Sequence, residues 1–147
     1  MKRDFEKFDE FNKILEAENV NNSESKLLPI ERLAILFDDG KFKELFKYSS
    51  VSPFAESFKD GISCAFGNVN GKPIVAYATD FSFEGGSIGV HQSNQILELY
   101  RLAKNHCIPI VALIESGGAK LMDTIHVQES LAGVLREAVF SSGFIPQ

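Results

Sequence analysis

Paired glycines at Gly117 and Gly118, flanked by Ser116 and Ala119, interrupt an apolar run where strand-like composition gives way to helical spacing. A second such place holds Gly85, Gly86, Ser87 and Gly89. A residue without a Cβ lets the main chain come within hydrogen-bonding distance of a ligand oxygen. The first N–H groups of a helix point outward and carry partial positive charge. Together these suggest main-chain donors aimed at an oxygen that is anionic or becomes so during a reaction, each donor worth about 3 kcal/mol of barrier. The same spacing suits a tight turn with close helix packing, with Ser87 as a helix cap, and the residue types alone leave both readings open.

The other reactive side chains fit fewer chemistries. Neither loop has the Gly-x-Gly-x-x-Gly spacing of a dinucleotide fold or the Gly-Lys-Ser/Thr ending of a phosphate loop. Ser116 lacks the glycine two positions earlier that a nucleophile elbow requires, since Ile114 stands there. His91, His106 and His126 are dispersed, and Cys64 and Cys107 lie far apart without a Cys-x-x-Cys pair, so no metal site is expected and both thiols read as small core residues. Glu115, at a strand end beside the glycines, suits either a general base or an acceptor that holds the following turn. Lys120 suits a phosphate or carboxylate contact, or plain solvation.

These loops need strands and helices to position them. Residues 62–69 and 73–79 are apolar runs around Asn70-Gly71-Lys72, a tight hairpin signal. Ile96, Leu99, Tyr100 and Ala103 recur at helical intervals and predict a helix over about 88–106; 108–114 reads as a buried strand. Leu121, Ile125, Leu131, Leu135 and Val139 predict a helix over about 121–140. Strand, glycine loop and helix, repeated, is the order of an α/β layer, and the last helix should lead to a further parallel strand. Upstream, Pro29 opens a helix whose buried face is Ile30, Leu33, Ala34 and Phe37, with Gly40 ending it. Before that, Phe5, Phe8, Phe11 or Asn12, and Leu15 give residues 4–18 an amphipathic helix, and 19–26 reads as a linker, so 1–26 is an arm and 27–147 the body.

The 147 residues suffice for one core, at 44% hydrophobic content. A net charge of −5, from 20 acidic and 15 scattered basic side chains, argues against nucleic acid. The start MKRDFEKFDEF is too charged for a secretory signal, and no apolar run approaches the ~20 residues of a membrane span, so a soluble cytoplasmic protein is expected.

Four ordered stretches carry a resemblance. ERLAILFDDGKFKEL (31–45), GNVNGKPIVAYATDFSFEGGSIG (67–89), IPIVALIESGGAK (108–120) and SSGFIPQ (141–147) resemble the carboxyltransferase β subunits of biotin-dependent acyl-CoA carboxylases, the propionyl-CoA, acetyl-CoA and methylcrotonyl-CoA group, and look closer to the propionyl-CoA type. The resemblance implies a crotonase-like (ClpP/crotonase) α/β fold, here a partial domain. It implies Gly117 and Gly118 as oxyanion donors to an acyl-CoA thioester, and Gly85, Gly86, Ser87, Gly89, Ala119 and Lys120 around the CoA cleft. It further implies carboxybiotin on a partner as carboxyl donor, with acyl-CoA, a biotin carboxylase or biotin carrier subunit and other carboxyltransferase chains as partners, and no metal. Glu115 stands where the family has Asp, and Lys120 where it has Arg, which loses the planar fork. The family's second glycine-rich turn and its biotin-site domain have no counterpart here, so the chain is expected to be inactive alone. The alternatives are a biotin-independent malonyl-thioester decarboxylase subunit and a non-catalytic assembly piece.

Overall fold

In a computed structural model the described residues are 26–46, 61–120 and 124–147. The expected helix at 4–18 and most of the linker lie outside them. Helix α1 (Pro29–Leu36) starts with proline in its first turn, and the Glu31 carboxylate accepts the Leu28 N–H at 2.7 Å, satisfying the entry to the helix. It stops at Leu36 because Phe37 turns extended, and a single 3₁₀ turn, Asp38–Gly40, follows. Leu33 and Phe37 are buried as expected, whereas Ile30 and Ala34 are half-buried.

Four strands form one sheet in the order β1-β2-β3-β4: β1 (Phe42–Leu45), β2 (Ile62–Val69), β3 (Lys72–Thr79) and β4 (Ile110–Leu113). The β2–β3 hairpin is the expected one, with positive φ at Asn70 and Gly71. Asp38 secures its tip, each carboxylate oxygen accepting a main-chain N–H, from Asn70 and from Gly71, at 2.8 Å. Strand β1, antiparallel to β2, has no clear sequence signal: it is four residues long and half of it is Lys43-Glu44. Helix α2 (Val90–His106) crosses over and returns the chain to β4, parallel to β3. Beside β4, the Pro146 carbonyl accepts the Ile110 N–H at 3.0 Å.

The pleat sorts the core. Val75 and Tyr77 of β3 face α2, joining Cys64, Ile96 and Leu99, while Ile74, Ala76 and Ala78 face Leu33 and Phe37. Helix α3 (Thr124–Ser141) packs on α2, but not through the face its spacing suggests. Val127 is buried and Val134 and Ala138 pack against the core, leaving Ile125, Leu135 and Val139 exposed at 77%, 67% and 71%. The helix is apolar on two sides, and Gly133 also lies beside α2, where a Cβ would meet Leu97 at 3.5 Å. Leu121 lies outside the described residues.

Burial raises the Cys64 thiol from 9.0 to about 12, and burial, with smaller contributions from Tyr100 and Cys64, raises the Tyr77 phenol from 10.0 to about 12. Both are neutral acids held neutral by the fold, so their contribution is complete well below the unfolded values of 9.0 and 10.0 and falls as the unfolded chain ionises first. Urea unfolding should therefore show stability falling by about 1 kcal/mol between pH 9 and 10 from the thiol. Cys64→Ala should remove that share and leave only the smaller fall from the tyrosine; an equally steep fall in the variant would contradict the assignment.

Candidate functional site

The two glycine loops lie against each other at the carboxyl ends of β3 and β4. A parallel bridge joins Ile88 to Ala119: the Ile88 N–H donates to the Gly118 carbonyl at 2.9 Å, and the Lys120 N–H to the Ile88 carbonyl at 3.0 Å. The Gly117 N–H donates to the Gly85 carbonyl at 2.8 Å. The approach is closest at Gly86, which is buried with φ +65°; a Cβ there would sit 2.1 Å from the Glu115 carbonyl oxygen. No other residue type fits that contact.

This pairing moves the start of α2. Because Ile88 is held extended by the bridge, the helix begins at Val90 with Gly89 at its cap. The Gln92 side-chain oxygen accepts the Gly89 N–H at 3.0 Å. Ser87 is thus not the helix cap; it sits two residues upstream, its N–H donating to the Glu84 carbonyl at 3.3 Å.

The two expected donors differ. The Gly117 N–H is committed to Gly85, so this amide braces one loop on the other. Gly118 is exposed with φ +115°, and its N–H donates to the Ser116 hydroxyl at 3.1 Å, a side-chain partner that can rotate away. The next amide, Ala119, is exposed and has no main-chain acceptor among the described residues. Amides without a main-chain acceptor therefore begin one residue later than the glycine pair suggests.

Charged groups close the loops from either side. Lys120 lies in the extended bridge rather than inside a helix, and its ammonium pairs with Glu84 at 2.7 Å, linking the two loops again. The Glu115 carboxylate, considered above as a base or turn acceptor, pairs with Lys26, whose ammonium lies 4.3 Å from the centre of the Phe81 ring. Among the described residues, no three His, Cys, Asp or Glu side chains cluster as a metal would need, and no helix is long and apolar enough to cross a membrane.

Two residues escaped the sequence reading. Thr79, at the end of β3, both accepts the Glu115 N–H at 2.7 Å and donates to the Glu115 carbonyl at 2.8 Å. Arg32 of α1 donates to the carbonyls of Thr79 and Leu113, capping the ends of β3 and β4 together. No local signal marks either, since their partners lie 36 to 81 residues away in sequence.

Residues 20–147 match the Carboxyl transferase domain family. The chain belongs to that family. It is 34% identical over 133 residues to the methylmalonyl-CoA decarboxylase subunit alpha of Veillonella parvula, covering 86% of this chain and 26% of the relative. It is 33% identical over 134 residues to the biotin-dependent acetyl-/propionyl-coenzyme A carboxylase beta6 subunit of Mycobacterium tuberculosis, covering 91% and 26%. Among solved structures, transcarboxylase 12S with methylmalonyl-coenzyme A and methylmalonic acid bound superposes with a TM-score of 0.74 at 26% identity, over 97% of this chain and 30% of that one. The fold is thus part of a crotonase-like carboxyl transferase domain, and the chain spans 26% of the length of these two relatives.

Gly86→Ala should destabilise the domain by about 3 kcal/mol or more, because both the φ angle and the Glu115 carbonyl oppose it. Gly71→Ala, also at positive φ but in open space, should cost about 1 kcal/mol. Equal losses in urea unfolding would mean that the loop contact does not govern Gly86.

Proposed function

We propose that this chain forms one wall of the acyl-CoA site of a carboxyltransferase, which moves a carboxyl group from carboxybiotin on a separate carrier to the α-carbon of a short acyl-CoA. The observation that carries the reading is the Gly118 amide. It is exposed at the carboxyl end of a parallel strand and held by a side-chain hydroxyl rather than by main chain. The relatives' names, a biotin-dependent acyl-CoA carboxylase and a transcarboxylase with a methylmalonyl thioester bound, support the substrate class.

A thioester oxygen entering beside Gly118 takes the place of the Ser116 hydroxyl. When the α-proton leaves, that oxygen gains enolate charge, and the N–H···O contact becomes charge-assisted, roughly twice as strong as the neutral one. Ala119 is the neighbouring donor, and Gly117, bound to Gly85, fixes the height of the loop. Gly85, Gly86, Ser87 and Gly89 form the facing wall, and Lys120 is the cation there, in an ion pair with Glu84 that a CoA phosphate would compete for. Carboxybiotin, when bound, would supply the carboxyl group and, as it loses CO₂, the base that takes the α-proton, and no residue described here is assigned to bind it. The remaining wall comes from polypeptide equivalent to the rest of the relatives' length, and the biotin carrier is a further chain. The exposed apolar side of α3, with Leu135, Val139 and Phe140, supports such an assembly.

A decarboxylase reading draws on the Veillonella relative's name. The same loop would hold the thioester oxygen while a malonyl-type thioester loses CO₂, and turnover without any biotin carrier would select this reading.

The test assembles the chain with the remaining carboxyltransferase polypeptide and a biotin carrier, and follows carboxyl transfer to propionyl-CoA and acetyl-CoA. Gly118→Val should lower kcat by about 100-fold or more, with a smaller effect on KM. Undiminished turnover in the variant would remove the assignment.

A further inference from the structure

Thr79 occupies the place where the β3–β4 ladder ends. The parallel register runs to Ala78 opposite Leu113. One residue further, a side chain takes over from the main chain. The Thr79 hydroxyl, buried with the residue 1% exposed, engages both polar groups of a single residue, accepting the Glu115 N–H at 2.7 Å and donating to the Glu115 carbonyl at 2.8 Å. A hydroxyl suits this position because it both donates and accepts.

Glu115 is the residue through which β4 enters the glycine loop. Its carbonyl oxygen presses on Gly86, and two residues later Gly117 donates to Gly85. The distance between β3 and Glu115 therefore sets the contact between the two loops, and with it the position of Gly118. Thr79 is itself held from behind. One guanidinium nitrogen of Arg32 donates to the Thr79 carbonyl and another to Leu113 at 3.3 Å, while its Nε is buried without an acceptor. The guanidinium is thus anchored by two strand-end carbonyls, tying α1 to the strand ends that carry the loop.

We propose that Thr79, braced by Arg32, is the positioning residue of the Ser116–Ala119 loop, its hydroxyl fixing the Glu115 peptide through both of its hydrogen-bonding groups. The consequence for catalysis rests on the carboxyltransferase reading. The geometric claim does not, and it is measured without turnover, so failure of either leaves the other standing.

The experiment is amide hydrogen exchange by NMR on the full chain, comparing Gly117 with the amides of the β2–β3 ladder. Thr79→Val keeps the shape and removes the hydroxyl, and should speed Gly117 exchange by about tenfold while the ladder stays protected. Thr79→Ser, which retains the hydroxyl, should exchange like the parent. If the valine variant does not fold, Thr79→Cys takes its place with the same expectation. Arg32→Lys should also speed Gly117, and adding it to Thr79→Val should bring clearly less than the combined single effects, because Arg32 acts in part through Thr79. Parental exchange at Gly117 without the hydroxyl, acceleration in Thr79→Ser equal to that in Thr79→Val, or additive effects of the two substitutions would overturn the proposal.

Discussion

The structure depends on two strand-to-helix loops meeting main chain to main chain. Three hydrogen bonds, from Ile88 to Gly118, Lys120 to Ile88 and Gly117 to Gly85, join segments about thirty residues apart. The contact leaves no room for a Cβ at Gly86. Everything nearby follows from satisfying this pairing: α2 starts late, Lys120 reaches Glu84, and Gly117 becomes a brace. What the pairing leaves without a main-chain acceptor is the Gly118 and Ala119 amides, the groups we propose meet a ligand.

Such a contact holds only on a rigid support. The β2–β3 hairpin and α2 supply one core face, and α1 with Phe37 supplies the other. The Lys104–Glu137 ion pair joins α2 to α3. Arg32 extends the support to the strand ends by donating to the Thr79 and Leu113 carbonyls. The order of dependence runs from core packing to strand ends, from strand ends to Glu115, and from Glu115 to the loops. A donor aimed at developing charge contributes most when it need not reorganise, and this hierarchy supplies that stiffness.

Much of this was legible in the sequence where local chemistry decides. Asn70-Gly71 wrote the hairpin, Pro29 wrote the start of α1, and the paired glycines marked both loops. The alternating strands and helices gave the layer type, and the ordered motifs gave the family. What escaped depended on distant partners. Strand β1 is a strand because β2 is beside it, although Lys43-Glu44 has little strand character. The face of α3 could not be chosen from a helix apolar on two sides. Ser87 is well suited to capping, yet the Ile88–Ala119 bridge keeps the chain extended there. Gly117 and Gly118 look equivalent as letters, and only the Gly85 carbonyl separates them. Thr79 and Arg32 carried no mark at all.

The central claim is that the amides left over by the loop pairing receive the oxygen of a CoA thioester. It is tested most directly by titrating propionyl-CoA into the assembled protein and following the backbone amide resonances by NMR. Gly118 and Ala119 should show the largest saturable shifts, with Gly117 moving little because its bond to Gly85 persists. Saturable binding that leaves residues 85–89 and 116–120 unmoved, or that shifts Gly117 while sparing Gly118, would contradict the account.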